Sequence, residues 1–481
     1  MDYRGGLRMA LPDWVQAFKG PGKEIKENNG KYYLYERKTV YDKEKKQAKK
    51  ITGAYLGRIT QDGFISKKSA IVPVTPIPDL EYGASKCLHD LSSDIRERLE
   101  LLFPADWKEI YLLAVLRTIE MSPFKRIQER YLRSYLSILY PGLDFSGKSL
   151  SLFLKRLGDR RPVMVEFMKA FVSGTEHIIF DGTRITTCSE NMYNSKMGYN
   201  NNGSYDPQIN LMYAFSSKSE TSPVYYRTFS GNICDVKSFR DAVRESGIED
   251  MVVIADKGFG SDANFGFLEE QGLRYLVPLR RNSRYFDRES IVCKKYTNTF
   301  LFNERPIWYF ERGTEKEGIK VITYLDKDLE LREQRDYMKR IECDIEGYTE
   351  AGLFERAGKM GILLIRTNMD LDGKEAYELY KKRALIEDSF DLLKNTLEAD
   401  RSYMQKDVSF EGWAFLNHLS LMMIYRLYVR MKEANMLGGY SVNDCLFFLS
   451  GIRKQRQGKN WETTLKTNKT DKILSLLRCD I

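Results

Sequence analysis

Two apolar stretches run straight into an aspartate: EHIIFD, ending at Asp181, and MVVIAD, ending at Asp256. Short, β-branched and uninterrupted, they read as strands buried on both faces. Between 176 and 280 such stretches set the rhythm of the chain. HIIFDGTRI, QINLMYAFS (208–216) and SPVYYRTFSG (222–231) are joined by polar connectors, which predicts an antiparallel meander. DVKSFRDAVRES, MVVIAD, SDANFGFLEEQG and RYLVPLR then alternate helix, strand, helix and strand, which predicts parallel additions to the same sheet. The expected fold class is therefore α/β. In an open α/β sheet the carboxyl ends of neighbouring strands converge on a crevice, and both aspartates stand where such an end is predicted.

A second feature lies downstream of GILLIRTN (361–368), which reads as one more buried strand. The segment YKKRALIEDSFDLLK, from Tyr380 to Lys394, has helical periodicity. At about 100° per residue, Tyr380, Arg383, Glu387 and Lys394 fall within an arc of about 60°. Leu379, Ile386, Phe390, Leu393 and Leu397 form a neighbouring apolar stripe. A carboxylate thus stands between two cations and a phenol, on a helix anchored by its own core. The competing reading is local pairing, Glu387 with Arg383 and Asp391 with Lys394. Asp391 also lies near Glu387 on the wheel and is an alternative helix carboxylate. Two strand-end aspartates and one helix carboxylate would form an all-oxygen cluster suited to two Mg²⁺ ions about 3.5–4 Å apart. Arg383, Lys394 and Tyr380 would then meet phosphates.

Composition narrows the chemistry. Seven cysteines are scattered without a C-x-x-C pair and only three histidines occur, which argues against thiolate or imidazole zinc and against a disulfide framework. Oxygen ligands favour Mg²⁺, with Mn²⁺ as a substitute. The apolar run from Trp413 to Val429 is interrupted by Asn417, His418 and Arg426, so a buried helix is expected rather than a membrane span. No signal peptide is read at the start, and a cytoplasmic location is the expectation. Charge is uneven: residues 1–60 hold 14 Lys and Arg against 7 Asp and Glu, and residues 451–481 hold 8 against 3. Basic flanks around a slightly acidic middle suit a partner such as DNA.

Residues 1–62 are read as a basic β-hairpin module, with aromatics interleaved among lysines that include Lys45, Lys46, Lys49 and Lys50. Residues 63–84 read as a linker, and 85–175 as a helical domain in which SGKSLSLFLKRLGDRR offers a short basic helix. Residues 176–280 and 361–436 form two parts of one core. The turn-rich segment 281–360 reads as a β-rich insertion between them. Residues 437–481 read as a helical basic end, with Arg453, Lys454, Arg456 and Lys459 available to DNA.

The motif Y-x2-R-x3-E-x6-K formed by Tyr380, Arg383, Glu387 and Lys394 resembles the YREK signature of DDE transposases of bacterial insertion sequences. IIFDGT around Asp181, GNICD at 231–235, IADKGF around Asp256 and LLIRTN are similar to further motifs of that family. The resemblance covers about 176–430. It implies a ribonuclease-H-like catalytic core, a metal-binding catalytic triad of Asp181, Asp256 and Glu387, and DNA contacts from Tyr380, Arg383 and Lys394. It also implies that the insertion supports a DNA-hairpin intermediate through an aromatic, for which Trp308 in RPIWYFERG is the candidate; the competing reading is a core tryptophan.

The expectation is a cut-and-paste transposase in the bacterial cytoplasm, associated with the nucleoid. It would bind its element's inverted repeats, cleave them with two metal ions and join the 3′ ends to target DNA, as a homodimer. The rivals are a catalytically silent DNA-binding protein on the same scaffold and a ribonuclease-H-like nuclease without strand transfer.

Overall fold

The computed structural model describes residues 11–42, 47–66, 79–120, 124–173, 176–199, 205–217, 221–232, 235–458, 460–464, 466–479 and 481. The chain divides into two compact units, Met1–Ile77 and Pro78–Ile481.

The first unit is a four-stranded antiparallel sheet of β1 (Lys23–Asn28), β2 (Lys31–Asp42), β3 (Gln47–Thr60) and β4 (Gly63–Ser66), in that order. Asn29 and Gly30 both have positive φ (49° and 69°), the two-residue turn whose twist matches that of its flanking strands. Val15, Leu34 and Ile59 are buried beneath Leu11, Trp14, Phe18 and Tyr32, a small core that seats the short helix Asp13–Gln16 on the sheet. Lys49 and Lys50 lie on β3 opposite Val40 and Thr39. Lys45 and Lys46 fall outside the described residues, as do residues 67–78 of the expected linker.

The second unit begins with β5 (Asp79–Glu81) and a run of helices from Gly83 to Val172. Its main sheet is built from β6 (His177–Thr187), β7 (Lys196–Tyr199), β8 (Tyr205–Ser217), β9 (Thr221–Ser230), β10 (Val252–Ala255), β11 (Arg274–Leu279), β12 (Asn298–Phe302), β13 (Arg305–Gly313), β14 (Lys320–Asp326), β15 (Ile362–Thr367) and β16 (Arg401–Ser402). The spatial order is β12-β13-β14-β15-β11-β10-β6-β8-β7, with β9 also on β8 and β16 on β6. The meander read from the sequence is β6, β8 and β9, all antiparallel; the parallel additions are β10 on β6 and β11 on β10.

Residues 281–360 depart from the β-rich expectation. They hold three strands and three helices, Arg288–Val292, Lys327–Glu342 and Glu350–Ala357, and their strands extend the main sheet through antiparallel pairing of β14 with β15. The signal for the longest helix was present in the sequence. The Asp326 carboxylate accepts the amides of Asp328 and Leu329, an N-cap for the charged run that follows. The C-terminal region is likewise not all helical. β17 (Arg453–Gln457) and β18 (Asn460–Thr464) form a hairpin that pairs β5. Of its basic residues, Arg453 pairs with Asp79 at 2.9 Å and the Lys454 ammonium lies 4.5 Å from the Tyr82 ring centroid, while Lys459 is outside the described residues.

The helix Asp407–Glu433 is buried along most of its length, and among the described residues no helix is long and apolar enough to cross a membrane. It crosses the helix Gly147–Gly158 at a glycine-to-glycine approach. A Cβ on Gly412 would lie 2.3 Å from the Leu154 carbonyl oxygen, and one on Gly158 would lie 1.7 Å from that of Val408. Both obstacles are backbone, which cannot rotate aside. Gly412→Ala is therefore expected to lower stability to urea by about 1–3 kcal/mol through overpacking. An unchanged midpoint would show that the two helices can separate without cost.

Candidate active site

Parallel pairing of β6 with β10 brings Asp181 and Asp256 together. The register matches Phe180 with Ala255, so the next residue on each strand is an aspartate. Asp256 directly follows β10 and caps the short turn Lys257–Phe259, its Oδ1 accepting the Lys257 amide at 2.7 Å. Asp181 differs from its expected place. It lies inside the 11-residue β6, opposite Tyr213, because β8 continues to pair the strand after β10 has ended. One Asp181 oxygen accepts the Gly182 amide at 2.8 Å, and the other faces Arg383.

Arg383 Nη2 stands 2.8 Å from Asp181 Oδ2 and 3.8 Å from Asp256 Oδ2. The guanidinium is thus the counter-ion shared by two neighbouring like charges. Burial pushes the Asp181 carboxyl up from the ordinary aspartate range and Asp256 adds to this, against the opposing pull of Arg383 and the Gly182 amide. For Arg383 burial opposes the charge, but Asp181, Asp256 and Tyr380 outweigh it and its pKa is raised. Tyr380 belongs to the same cluster: burial raises its phenol, and Arg383, within hydrogen-bonding reach, works the other way. Arg383 Nε is buried with no hydrogen-bond partner among the described residues.

Lys394 and Glu387 stand differently from the straight stripe read in the sequence. The helix Gly373–Lys381 tightens to a 3₁₀ turn at Lys382–Ala384, resumes as Leu385–Asp391 and widens to a π-helical turn at Leu392–Thr396. Each change alters the angle per residue, so one projection at 100° does not hold across the segment. Lys394, on the π turn, is partly buried; burial lowers its pKa, while Asp400 and Asp181 act against this and Arg184 with it. Glu387 is exposed, with no hydrogen bond or ion pair among the described residues. The other two carboxylates between Tyr380 and Lys394, Asp388 and the alternative candidate Asp391, are engaged. Asp388 accepts the Tyr428 hydroxyl at 2.7 Å, and Asp391 accepts the Asn395 amide.

The two aspartates fit an oxygen-ligated divalent ion by donor chemistry, and a cationic group already occupies the space between them. Glu387 is not brought to them. Among the described residues no group of three or more His, Cys, Asp or Glu is placed to hold a metal ion. Trp308 lies in mid-sheet on β13, between Thr299 of β12 and Leu325 of β14, partly buried against the core. A cavity of about 520 Å³ farther along the sheet is lined by Arg284, Tyr285, Arg312, Lys316 and Arg366 and includes none of the predicted site residues.

Two anchors of the Gly373–Leu397 segment were not read from the sequence. Arg117, buried in the helix Trp107–Glu120, donates to the Leu397 carbonyl just past the π turn and to Asn417 Oδ1 at 3.2 Å. Tyr428 ties down Asp388. A lone arginine in an apolar helix was the available signal, since burying that charge requires a partner.

A family model described as the transposase DDE domain matches residues 172–423. The chain belongs to the DDE transposase family. DDE transposases generally use divalent metal ions, consistent in kind with the paired aspartates. No curated protein matches this transposase. Among solved structures, it is similar to a cryo-EM structure of the piggyBac transposase synaptic complex with hairpin DNA, at 11% identity and a TM-score of 0.39, over 76% of this chain and 78% of that one.

Replacing Arg383 with Leu leaves two carboxylates facing each other without their counter-ion. The expected loss is about 1–3 kcal/mol, below that of a fully buried pair because Arg383 and Asp181 keep some solvent access. Equilibrium urea unfolding in metal-free buffer measures it, and equal stability would mean that the ion pair only offsets its own desolvation.

Proposed function

We propose that this transposase cuts and pastes its own insertion sequence in a bacterial cytoplasm, with Asp181, Asp256 and Glu387 as the metal-binding catalytic triad. The observation that carries the reading is the Asp181–Arg383–Asp256 cluster at the junction of two parallel strands. Its setting supports a ribonuclease-H-like core. Three antiparallel strands followed by two parallel ones, β9-β8-β6-β10-β11, place both aspartates at the middle of the sheet.

In this reading Asp181 and Asp256 would hold Mg²⁺ ions, and Glu387, exposed here, would have to turn toward them to complete the ligand set. Bound there, two ions supply activation of the attacking oxygen and stabilisation of the leaving oxygen of a phosphodiester. The protein's own residues do the positioning. Arg383, which pairs with both aspartates, would be the residue to meet a DNA phosphate once they held metal, with Tyr380 beside it. Lys394 neutralises a second phosphate from the π turn. The basic residues of the N-terminal unit, Lys45, Lys46, Lys49 and Lys50, add salt-sensitive affinity for the inverted repeats. Two copies act together because two ends must be synapsed, and Trp308 is the aromatic proposed to meet the hairpin intermediate.

Glu387→Gln is expected to abolish excision of a marker flanked by the element's own ends while end binding stays within about twofold. The charge is lost but the shape is kept, and the wild-type residue has no structural partner among the described residues. Excision by the variant would remove Glu387 from the triad. Binding without excision by the wild-type protein would favour the silent DNA-binding scaffold, and cleavage without joining a nuclease.

Lys394→Ala is expected to weaken binding to the ends and to reduce the salt slope by about 1 in log K against log[salt]. Fluorescence anisotropy across a salt series measures this. An unchanged slope would show that Lys394 meets no phosphate.

A further inference from the structure

The first helix of the large unit and the last residues of the chain meet through sulfur. Cys87, on the helix Gly83–Leu91, is fully buried, and its Sγ lies 2.9 Å from that of Cys479, just beyond the helix Asn468–Leu477. Both are free thiols. They are separated by 392 positions in sequence, so only the fold brings them together. Cys445, on the neighbouring helix Val442–Ser450, is buried as well.

We infer that Cys87 and Cys479 form a reversible redox site, in which a low-molecular-weight disulfide such as glutathione disulfide converts the thiol pair to an intramolecular disulfide. The two positions divide the work. Cys479 is partly exposed and can meet a small oxidant, whereas Cys87 is shielded and can react only with what Cys479 presents. The surroundings agree. The hydrogen bond with Cys87 holds the Cys479 thiol below the usual range, and Arg430 and Lys86 add to this against burial. The same contact, together with burial, pushes Cys87 up. A more acidic accessible thiol beside a buried resolving thiol is the arrangement that favours stepwise exchange over further oxidation.

The exchange balances without any other reagent. The Cys479 thiolate attacks one sulfur of the small disulfide, whose S–S bond breaks and releases one thiolate that takes up a proton. The Cys87 thiol then gives up its proton and attacks the Cys479 sulfur, expelling the second small thiol, which takes that proton. One small disulfide is reduced to two thiols while two protein thiols are oxidised to one disulfide. The bond ties the C-terminal helix to the first helix of the large unit and closes a loop of nearly the whole unit.

The test uses the full chain. With the exposed Cys188, Cys293 and Cys343 replaced by serine, incubation with excess glutathione disulfide followed by alkylation should show that Cys87 and Cys479 are no longer alkylated. Peptide mapping without reductant should link Cys87 to Cys479, and dithiothreitol should restore both. Cys87→Ser should stop at the first step, with one glutathione retained on Cys479, whereas Cys445→Ser should leave the linkage intact. Cys87 and Cys479 both still alkylated, linkage through Cys445, or an unmodified Cys479 in a folded Cys87→Ser protein would each overturn the assignment.

Discussion

Pairing β6 parallel to β10 forces two carboxylates side by side, and much of the site follows from the need to neutralise them. The register that buries Ile178, Ile179 and Phe180 against Val253, Ile254 and Ala255 also makes Asp181 and Asp256 adjacent. A one-residue slip would exchange the neighbours of every buried β10 side chain and separate the two aspartates, so the packing and the acidic pair are specified together. Two neighbouring carboxylates are repulsive, and partial burial strengthens the repulsion. The fold meets this with Arg383, brought from 202 positions away in sequence.

Delivering that guanidinium places demands on the helix segment that carries it. A regular helix would continue the geometry of Gly373–Lys381; instead a 3₁₀ turn falls at Lys382–Ala384, where Arg383 itself sits. Beyond the break, Ile386, Leu392, Leu393 and Leu397 are all buried, and the π turn lets the adjacent Leu392 and Leu393 both face inward. Arg117 holds the far end at the Leu397 carbonyl and Tyr428 holds the middle at Asp388. The segment is thus held at its middle and its far end. Glu387 projects outward from this scaffold, so its separation from the aspartates reflects direction rather than loose packing.

The strands were legible in the sequence because burial on both faces leaves an unbroken apolar signature, as in HIIF and VVIA. The paired aspartates followed from the same signature. The Arg383 and Lys394 positions were readable as residue types in a motif, but their geometry was not. No glycine or proline marks the breaks at 382–384 and 392–396, so a constant 100° per residue was the natural and incorrect assumption. The hairpin at β17 and β18 was missed for a different reason. Its strands are short and mostly polar, and what makes them strands is the tertiary partner β5 rather than their own pattern. Likewise 281–360 looked foreign to the core: strands were expected there, but neither its charged helices nor the pairing of β14 with β15 that makes those strands prolong the sheet was read.

In the proposed function, the same electrostatics explains why the motif needs an arginine next to the acids rather than only at the DNA. Without a stronger cation, the two carboxylates hold the guanidinium, and Arg383 is unavailable to a phosphate. Asp181 and Asp256 would have to exchange this guanidinium for metal, and Arg383 would then be free to meet a phosphate. On that reading metal at the aspartates and phosphate at Arg383 would favour each other, because each would remove a partner that the other must displace. A lysine ammonium could stand where Nη2 stands and balance both carboxylates, but it would have no second nitrogen, whereas the guanidinium keeps Nη1 and Nε as planar donors for a phosphate. The choice of arginine at this position therefore follows from one side chain serving two anions in turn.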